Sequence, residues 1–143
     1  MFCKDFRFLV VEDHDVQRRI AVRRLQTWGA RTVHQAACGA EALRILRDPS
    51  AFVDVVLLDL SMPQTDGVAL AGQVNACASP PAIILHSALN AALLDQVVGM
   101  LSARQVRLAG VIAKPMTEAK LAPLLDMLLQ GPGSRWADTR MAA

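Results

Sequence analysis

Cysteine is scarce in this 143-residue chain, and the three present, Cys3, Cys38 and Cys77, are widely separated and show no Cys-x-x-Cys spacing. Such a set excludes a disulfide framework and a zinc site, and reads as reduced packing thiols. Net charge is nearly absent too. A formal balance of +2 is too small to imply nucleic-acid binding, and the local cluster Arg18, Arg19, Arg23 and Arg24 reads as the solvated face of a helix. No apolar run reaches the length needed to cross a bilayer, and residues 1–7 lack the basic-then-apolar order of a signal peptide, so a cytoplasmic location is expected. The histidines His14, His34 and His86 have no ligand spacing on a common element and read as surface or packing residues. There is neither an internal repeat nor a low-complexity tract.

What the chain does have is apolar content. At 53% hydrophobic and 20% charged, it can bury a core and is not disordered, and its length fits one domain. The organising stretch runs from Val53 to Gly67. Val53, Val55, Val56, Leu57 and Leu58 form the nearly continuous apolar run of a strand buried on both faces, and Asp59 ends it. A carboxylate inside a buried strand would be costly, but at the carboxyl end of a parallel strand it reaches the crevice where open α/β sheets bind ligands. Met62-Pro63 and Asp66-Gly67 then mark a loop, with Asp66 as a turn residue.

Taken in order, strand and helix signals alternate. Phe6 to Val11 reads as a strand stopping at Glu12-Asp13. Asp15 is placed to cap a helix over Val16 to Trp28, with Ile20, Ala21, Leu25 and Trp28 on one face and Gly29 at its end. A second strand is expected over Arg31 to Ala36 and a second helix over Gly39 to Leu46. After the central strand, entered through Asp48 and Asp54 as solvated residues, a third helix is expected from about Gly67 to Ala76. Ala82 to Ser87 is a fourth strand, Asn90 to Arg107 a fourth helix, and Gly110 to Ala113 a fifth strand. Thr117 can cap a last helix with Leu121, Leu124, Leu125 and Leu128 on its face. Residues 131–143 show no periodicity and read as a flexible tail or linker, although Trp136 could dock. Five such repeats imply right-handed crossovers and an α/β fold: a doubly wound, flavodoxin-like parallel sheet with strand order 2-1-3-4-5.

In that topology Glu12-Asp13, Asp59, Ser87 and Lys114 all stand at carboxyl ends of strands and face one crevice. Carboxylates so close need a cation, and a hard, oxygen-rich site suits Mg²⁺ or Mn²⁺. Lys114 adds a mobile positive charge and Ser87 a hydroxyl, a pair suited to phosphoryl oxygens. Met62 and Met116 flank the pocket, as loop packing or as a partner contact.

These marks resemble the receiver domains of two-component response regulators. They are Val-Val-Glu-Asp closing strand one, Asp-Leu-Ser-Met-Pro-Gln-Thr-Asp-Gly from Asp59, Ser87-Ala88 after strand four, and Ala-Lys-Pro at 113–115. The resemblance covers residues 6–130, the expected receiver domain being 1–130. It implies that Asp59 accepts a phosphoryl group from a sensor histidine kinase or phosphotransfer protein. It also implies that Glu12, Asp13, Asp59 and the backbone carbonyl of Ser61 hold Mg²⁺, that Lys114 pairs with the phosphoryl group, and that the bond to Pro115 is cis. The domain then catalyses only its own phosphorylation and dephosphorylation. Its switched surface of helix 4, strand 5 and helix 5 addresses an output protein or a C-terminal output domain, with no direct nucleic-acid or membrane partner.

Three departures from the receiver pattern stand out. The usual aromatic three residues before the lysine is Val111, and the chain has no tyrosine, which excludes an aromatic rotamer switch at that position. Between Ser87 and Lys114 lie 26 residues, implying a longer helix 4 or following loop and resembling receivers that precede cyclic-di-GMP phosphodiesterase domains. Glu12 replaces the commoner Asp with its charge kept. In receivers the side chains two places after the acceptor and two after the hydroxyl flank the attacking water; here they are Ser61 and Leu89. The alternatives are a degenerate receiver that binds partners without phosphorylation, and a haloacid-dehalogenase-type phosphohydrolase, which would want a carboxylate where Ser61 stands.

Overall fold

The alternation of buried strands with amphipathic helices closes into five parallel strands and five helices in the computed structural model, which describes residues 1–63 and 65–130. The strands are β1 (Arg7–Val11), β2 (Thr32–Ala36), β3 (Val55–Leu58), β4 (Ala82–Ser87) and β5 (Leu108–Ala113). The helices are α1 (Asp15–Thr27), α2 (Gly39–Arg47), α3 (Gly67–Asn75), α4 (Ala91–Ala103) and α5 (Glu118–Gln130). The sheet order is β2-β1-β3-β4-β5, as the alternation implied. The expected tail, with Trp136, lies outside the described residues.

Because strand side chains alternate, β3 at the centre feeds both layers. Val56 and Leu58 join Leu9, Val11, Ile83 and Leu85 beneath α2, α3 and α4, where Leu43, Leu70, Val74 and Leu101 close the layer. Val55 and Leu57 join Phe8, Val10, Ile84 and Ile112 against α1 and α5, through Val22, Leu25, Leu121 and Leu125. Burial of each such side chain stabilises the fold by about 1.5–3 kcal/mol, so the layers hold the strand ends to a fixed pattern. Register does the rest: Val11 lies beside Leu58, Leu58 beside Leu85, and Ser87 beside Ala113, which brings all the carboxyl ends to one edge.

Several local expectations change. The N-cap of α1 is His14, whose Nδ1 accepts the Gln17 amide at 3.3 Å. Asp15 is the first helical residue and pairs with Arg18 at 2.6 Å, where its charge suits the positive helix end. Ile20 faces solvent because the helix turns Ala21, Val22 and Leu25 inward. The arginine cluster is not simply solvated: Arg18 Nη1 donates to the Glu12 carbonyl at 2.9 Å, and Arg24 Nη1 to the Met116 carbonyl at 2.9 Å. Gly29, at φ +102°, follows the C-cap of α1, and the Ala30 amide reaches back to the Leu25 carbonyl at 2.9 Å.

Helix α4 stops at Ala103, earlier than its apolar spacing implies, because Gln105 adopts φ +59° and the Val106 amide turns back to the Leu101 carbonyl. The long segment after Ser87 is therefore spent on a 13-residue helix and a six-residue β5, not on an extended loop. Asp66 caps α3 by accepting from the Val68 and Ala69 amides at 3.0 and 3.1 Å. Thr117 caps α5 as expected, its Oγ1 accepting from the Lys120 amide at 3.3 Å. Asp54 is buried, not solvated. It accepts from the Arg7 amide at 2.7 Å, Nε at 2.9 Å and Nη2 at 3.2 Å.

Candidate functional site

Glu12, Asp59 and Lys114 each follow directly on a strand and Ser87 ends one, and backbone hydrogen bonds carry the sheet one step beyond the strand ends. The Glu12 amide donates to the Ala36 carbonyl at 3.0 Å, the Asp59 amide to Val11 at 3.1 Å, and the Lys114 amide to Ser87 at 2.9 Å. These bonds fix the first atoms of the acidic pair, the central carboxylate and the lysine. Glu12, Asp59 and Ser87 are each less than 5% exposed, whereas Asp13 faces solvent. The carboxylate oxygens of Glu12, Asp13 and Asp59 lie within 4.8 Å of one another, so the three strand-end acids form one cluster.

Lys114 is the local counter-charge. Its Nζ donates to Glu12 Oε2 at 2.6 Å, to Gln17 Oε1 at 2.7 Å and to Asp59 Oδ2 at 3.3 Å, three acceptors for its three protons. The other carboxylate oxygens are held by backbone. Glu12 Oε1 accepts from the His14 amide at 3.2 Å, and Asp59 Oδ1 from the Ser61 amide at 2.9 Å. Ser61, expected through its carbonyl, thus touches the cluster through its N–H. Ser87 Oγ accepts from the Leu89 amide at 3.0 Å, which ties the hydroxyl to the start of the following loop. The Lys114–Pro115 bond is cis.

Burial raises the Glu12 carboxyl above its ordinary range; the Lys114 hydrogen bond opposes that shift and the neighbouring Asp59 adds to it. Beside Lys114 a cavity of about 350 Å³ opens between α1 and the β5–α5 connection, lined by Gln17, Ile20, Arg24, His86, Pro115 and Met116. Met62 and Met116 are both buried, which makes them loop packing.

Two residues in the site were not singled out as functional in the sequence. Gln17 stands one turn into α1, within reach of Lys114, and only the helix phase after Asp13 hints at it. His86 on β4 was read as surface or packing, yet its Nε2 is buried without a hydrogen-bond partner among the described residues. Desolvation, and secondarily the Lys114 ammonium, pull the imidazole down to about 4. Between that value and the unfolded value near 6.5, the unfolded chain binds the proton and the folded one does not, so stability falls as pH falls through this window. Wild type is expected to lose roughly 2 kcal/mol more than His86→Met between about pH 7 and about pH 5, read by urea unfolding of both proteins. Equal losses would show that His86 carries no such linkage.

The parallel 2-1-3-4-5 sheet has counterparts among known proteins. The family model described as the response regulator receiver domain matches residues 8–126. The chain belongs to that family and is a phosphoryl-accepting receiver of two-component signalling. It is 31% identical over 124 residues to the sensor protein TorS of Escherichia coli, covering 87% of this chain and 13% of that protein. It is 29% identical over 121 residues to the cyclic di-GMP phosphodiesterase RocR of Pseudomonas aeruginosa, covering 85% of this chain and 31% of the relative. The chain thus spans less than a third of either relative. A response regulator receiver domain structure from Methylobacillus flagellatus has the same fold, with a TM-score of 0.69 at 22% identity over 85% of this chain and 96% of that one. Among the described residues no helix is long and apolar enough to cross a membrane.

Proposed function

We propose that Asp59 is the phosphoacceptor and that the domain serves as a switch in the cytoplasm, charged by a sensor histidine kinase or a phosphotransfer protein. The observation that carries this reading is a buried carboxylate at the end of β3, paired with Lys114 and clustered with two further acids. A carboxylate oxygen held at that edge is the nucleophile that an acyl phosphate requires. One Asp59 oxygen attacks the phosphorus of a phosphohistidine as the P–N bond breaks. The bonding pair leaves on the imidazole nitrogen, and an acyl phosphate remains on Asp59. Lys114 neutralises charge on the phosphoryl oxygens, and Ser87 supplies a hydroxyl donor to them. Positioning and charge neutralisation do the catalysis, and the domain acts only on itself.

The donor set fits a hard divalent cation, because three clustered carboxylates face a single ammonium. Glu12, Asp13, Asp59 and the carbonyl of Ser61 would hold Mg²⁺, or Mn²⁺ in its place. Bound there, the ion supplies charge neutralisation for the entering phosphoryl group. Glu12→Gln and Asp13→Asn are each expected to weaken Mg²⁺ binding about tenfold or more in calorimetric titration, since each removes one charge from the site. Unchanged affinity in both would remove the acidic pair from the ligand set.

Downstream, movement of Ser87 toward the phosphoryl group would draw in the loop before α4 and alter the surface of α4, β5 and α5, where Leu93, Met100 and Val111 are exposed. Val111 has no ring to swing inward, so the change travels through backbone and α4. The recipient is an output protein or an output domain outside this sequence. Incubation with acetyl phosphate and Mg²⁺ followed by intact mass measurement tests the reading: one phosphoryl group is expected, and none would refute it.

A further inference from the structure

The Lys114 ammonium has three acceptors, but they are not equivalent. Glu12 Oε2 and Asp59 Oδ2 belong to the acid cluster, and any cation bound there competes with the lysine for them. Gln17 Oε1, at 2.7 Å, is uncharged and stands outside that cluster. The helical turn that carries it is well anchored. The Gln17 amide is bound by His14 Nδ1, and the same helical turn is tied to β1 by Arg18, which donates to the Glu12 carbonyl and to Asp15 Oδ1. A long lysine side chain loses much rotamer freedom when held, so an ammonium without partners would leave for solvent. A fixed neutral acceptor prevents this without adding negative charge that would repel a phosphoryl group.

We propose that Gln17 is a positioning residue for Lys114: it keeps the ammonium at the site when the carboxylates are given over to a metal ion and the phosphoryl group arrives. The proposal rests on the reading that Asp59 and Lys114 carry the transfer. Gln17 touches no reacting atom and acts through the lysine alone. Its exposure on α1 makes Gln17→Leu a substitution that the fold tolerates, checked by an unchanged unfolding midpoint. Gln17→Glu keeps an acceptor oxygen at the same reach.

The experiment has two arms on the full chain. In the first, the ¹⁵N resonance of the Lys114 ammonium is followed with saturating Mg²⁺ and no phosphodonor. It should persist in wild type and Gln17→Glu, where a hydrogen bond slows proton exchange, and vanish in Gln17→Leu. In the second, acetyl phosphate loads the protein, and Gln17→Leu should slow loading roughly tenfold, the scale of a lost hydrogen bond to a charged group. Gln17→Glu, which restores the acceptor but adds a negative charge, should recover only part of that rate, and in a Lys114→Met background Gln17→Leu should cause no further slowing. A resonance that survives in Gln17→Leu, an unchanged loading rate, or the same slowing in the Lys114→Met background each overturns the proposal. Failure of wild type to load at all would refute the functional reading instead, and the resonance arm would still decide whether Gln17 holds Lys114.

Discussion

Asp59→Asn takes up no phosphoryl group from acetyl phosphate and Mg²⁺ under conditions where wild type takes up one. The carboxamide fills the same volume at the end of β3 and can still accept the Ser61 amide bond through its oxygen, so the edge of the sheet is kept. What disappears is the nucleophile. An uncharged amide oxygen does not form an acyl phosphate, and the cluster also loses one of its three negative charges. The effect is a complete loss, larger than any change in positioning or metal affinity. Intact mass spectrometry of both proteins after the same incubation measures it. A single phosphoryl group on Asp59→Asn would move the acceptor to another residue, with solvent-facing Asp13 of the same cluster first to be examined.

The lifetime of the charged state should respond almost as strongly. Hydrolysis requires a water aligned with the phosphoryl bond, and by the receiver pattern the residues that would flank its approach are Ser61 and Leu89. Ser61 is exposed and its amide is engaged with Asp59 Oδ1; Leu89 is half-buried and its amide is held by Ser87 Oγ. An apolar side chain at that point would exclude solvent, and a serine is a poor orienter of water. Replacing Leu89 by Glu, or Ser61 by Asn, supplies a group able to orient or deprotonate that water, an effect commonly worth on the order of a hundredfold. Loss of the phosphoryl group after donor removal should therefore accelerate toward that limit in Leu89→Glu and more modestly in Ser61→Asn. Decay unchanged or slowed in both would place control of the lifetime elsewhere in the domain.

The sheet and the convergence at its edge were legible because they depend on strong, short signals: apolar runs that stop at a charged or hydroxyl residue. Glu12, Asp59, Ser87 and Lys114 were visible as the terminating residues of four such runs. Gln17 was not, because it is one polar residue on an exposed helical turn and its meaning comes from a lysine 97 positions away. Asp54 misled for a similar reason. A carboxylate before a strand reads as solvated until Arg7, 47 positions earlier, is seen to wrap it. The end of α4 was overestimated because helical spacing continues to Arg107, while a non-glycine residue at positive φ ends the helix first. The cap of α1 moved by one position because the His14 Nδ1 satisfies the Gln17 amide, while Asp15 is turned to Arg18.

The Arg7–Asp54 clamp lies at the opposite rim of the sheet from Asp59. Besides the side-chain bonds, the Asp54 amide donates to the Arg7 carbonyl at 2.8 Å and the Ala82 amide to the Asp54 carbonyl at 2.9 Å, so β1, β3 and β4 are riveted together at their starts. The strands are thus pinned at their starts by the clamp and, at the carboxyl rim, by the amides of Glu12, Asp59 and Lys114. A push delivered there cannot be absorbed by sliding one strand past another. On the reading that Asp59 takes the phosphoryl group, the loops that leave the carboxyl rim are what would have to move, toward the surface of α4, β5 and α5.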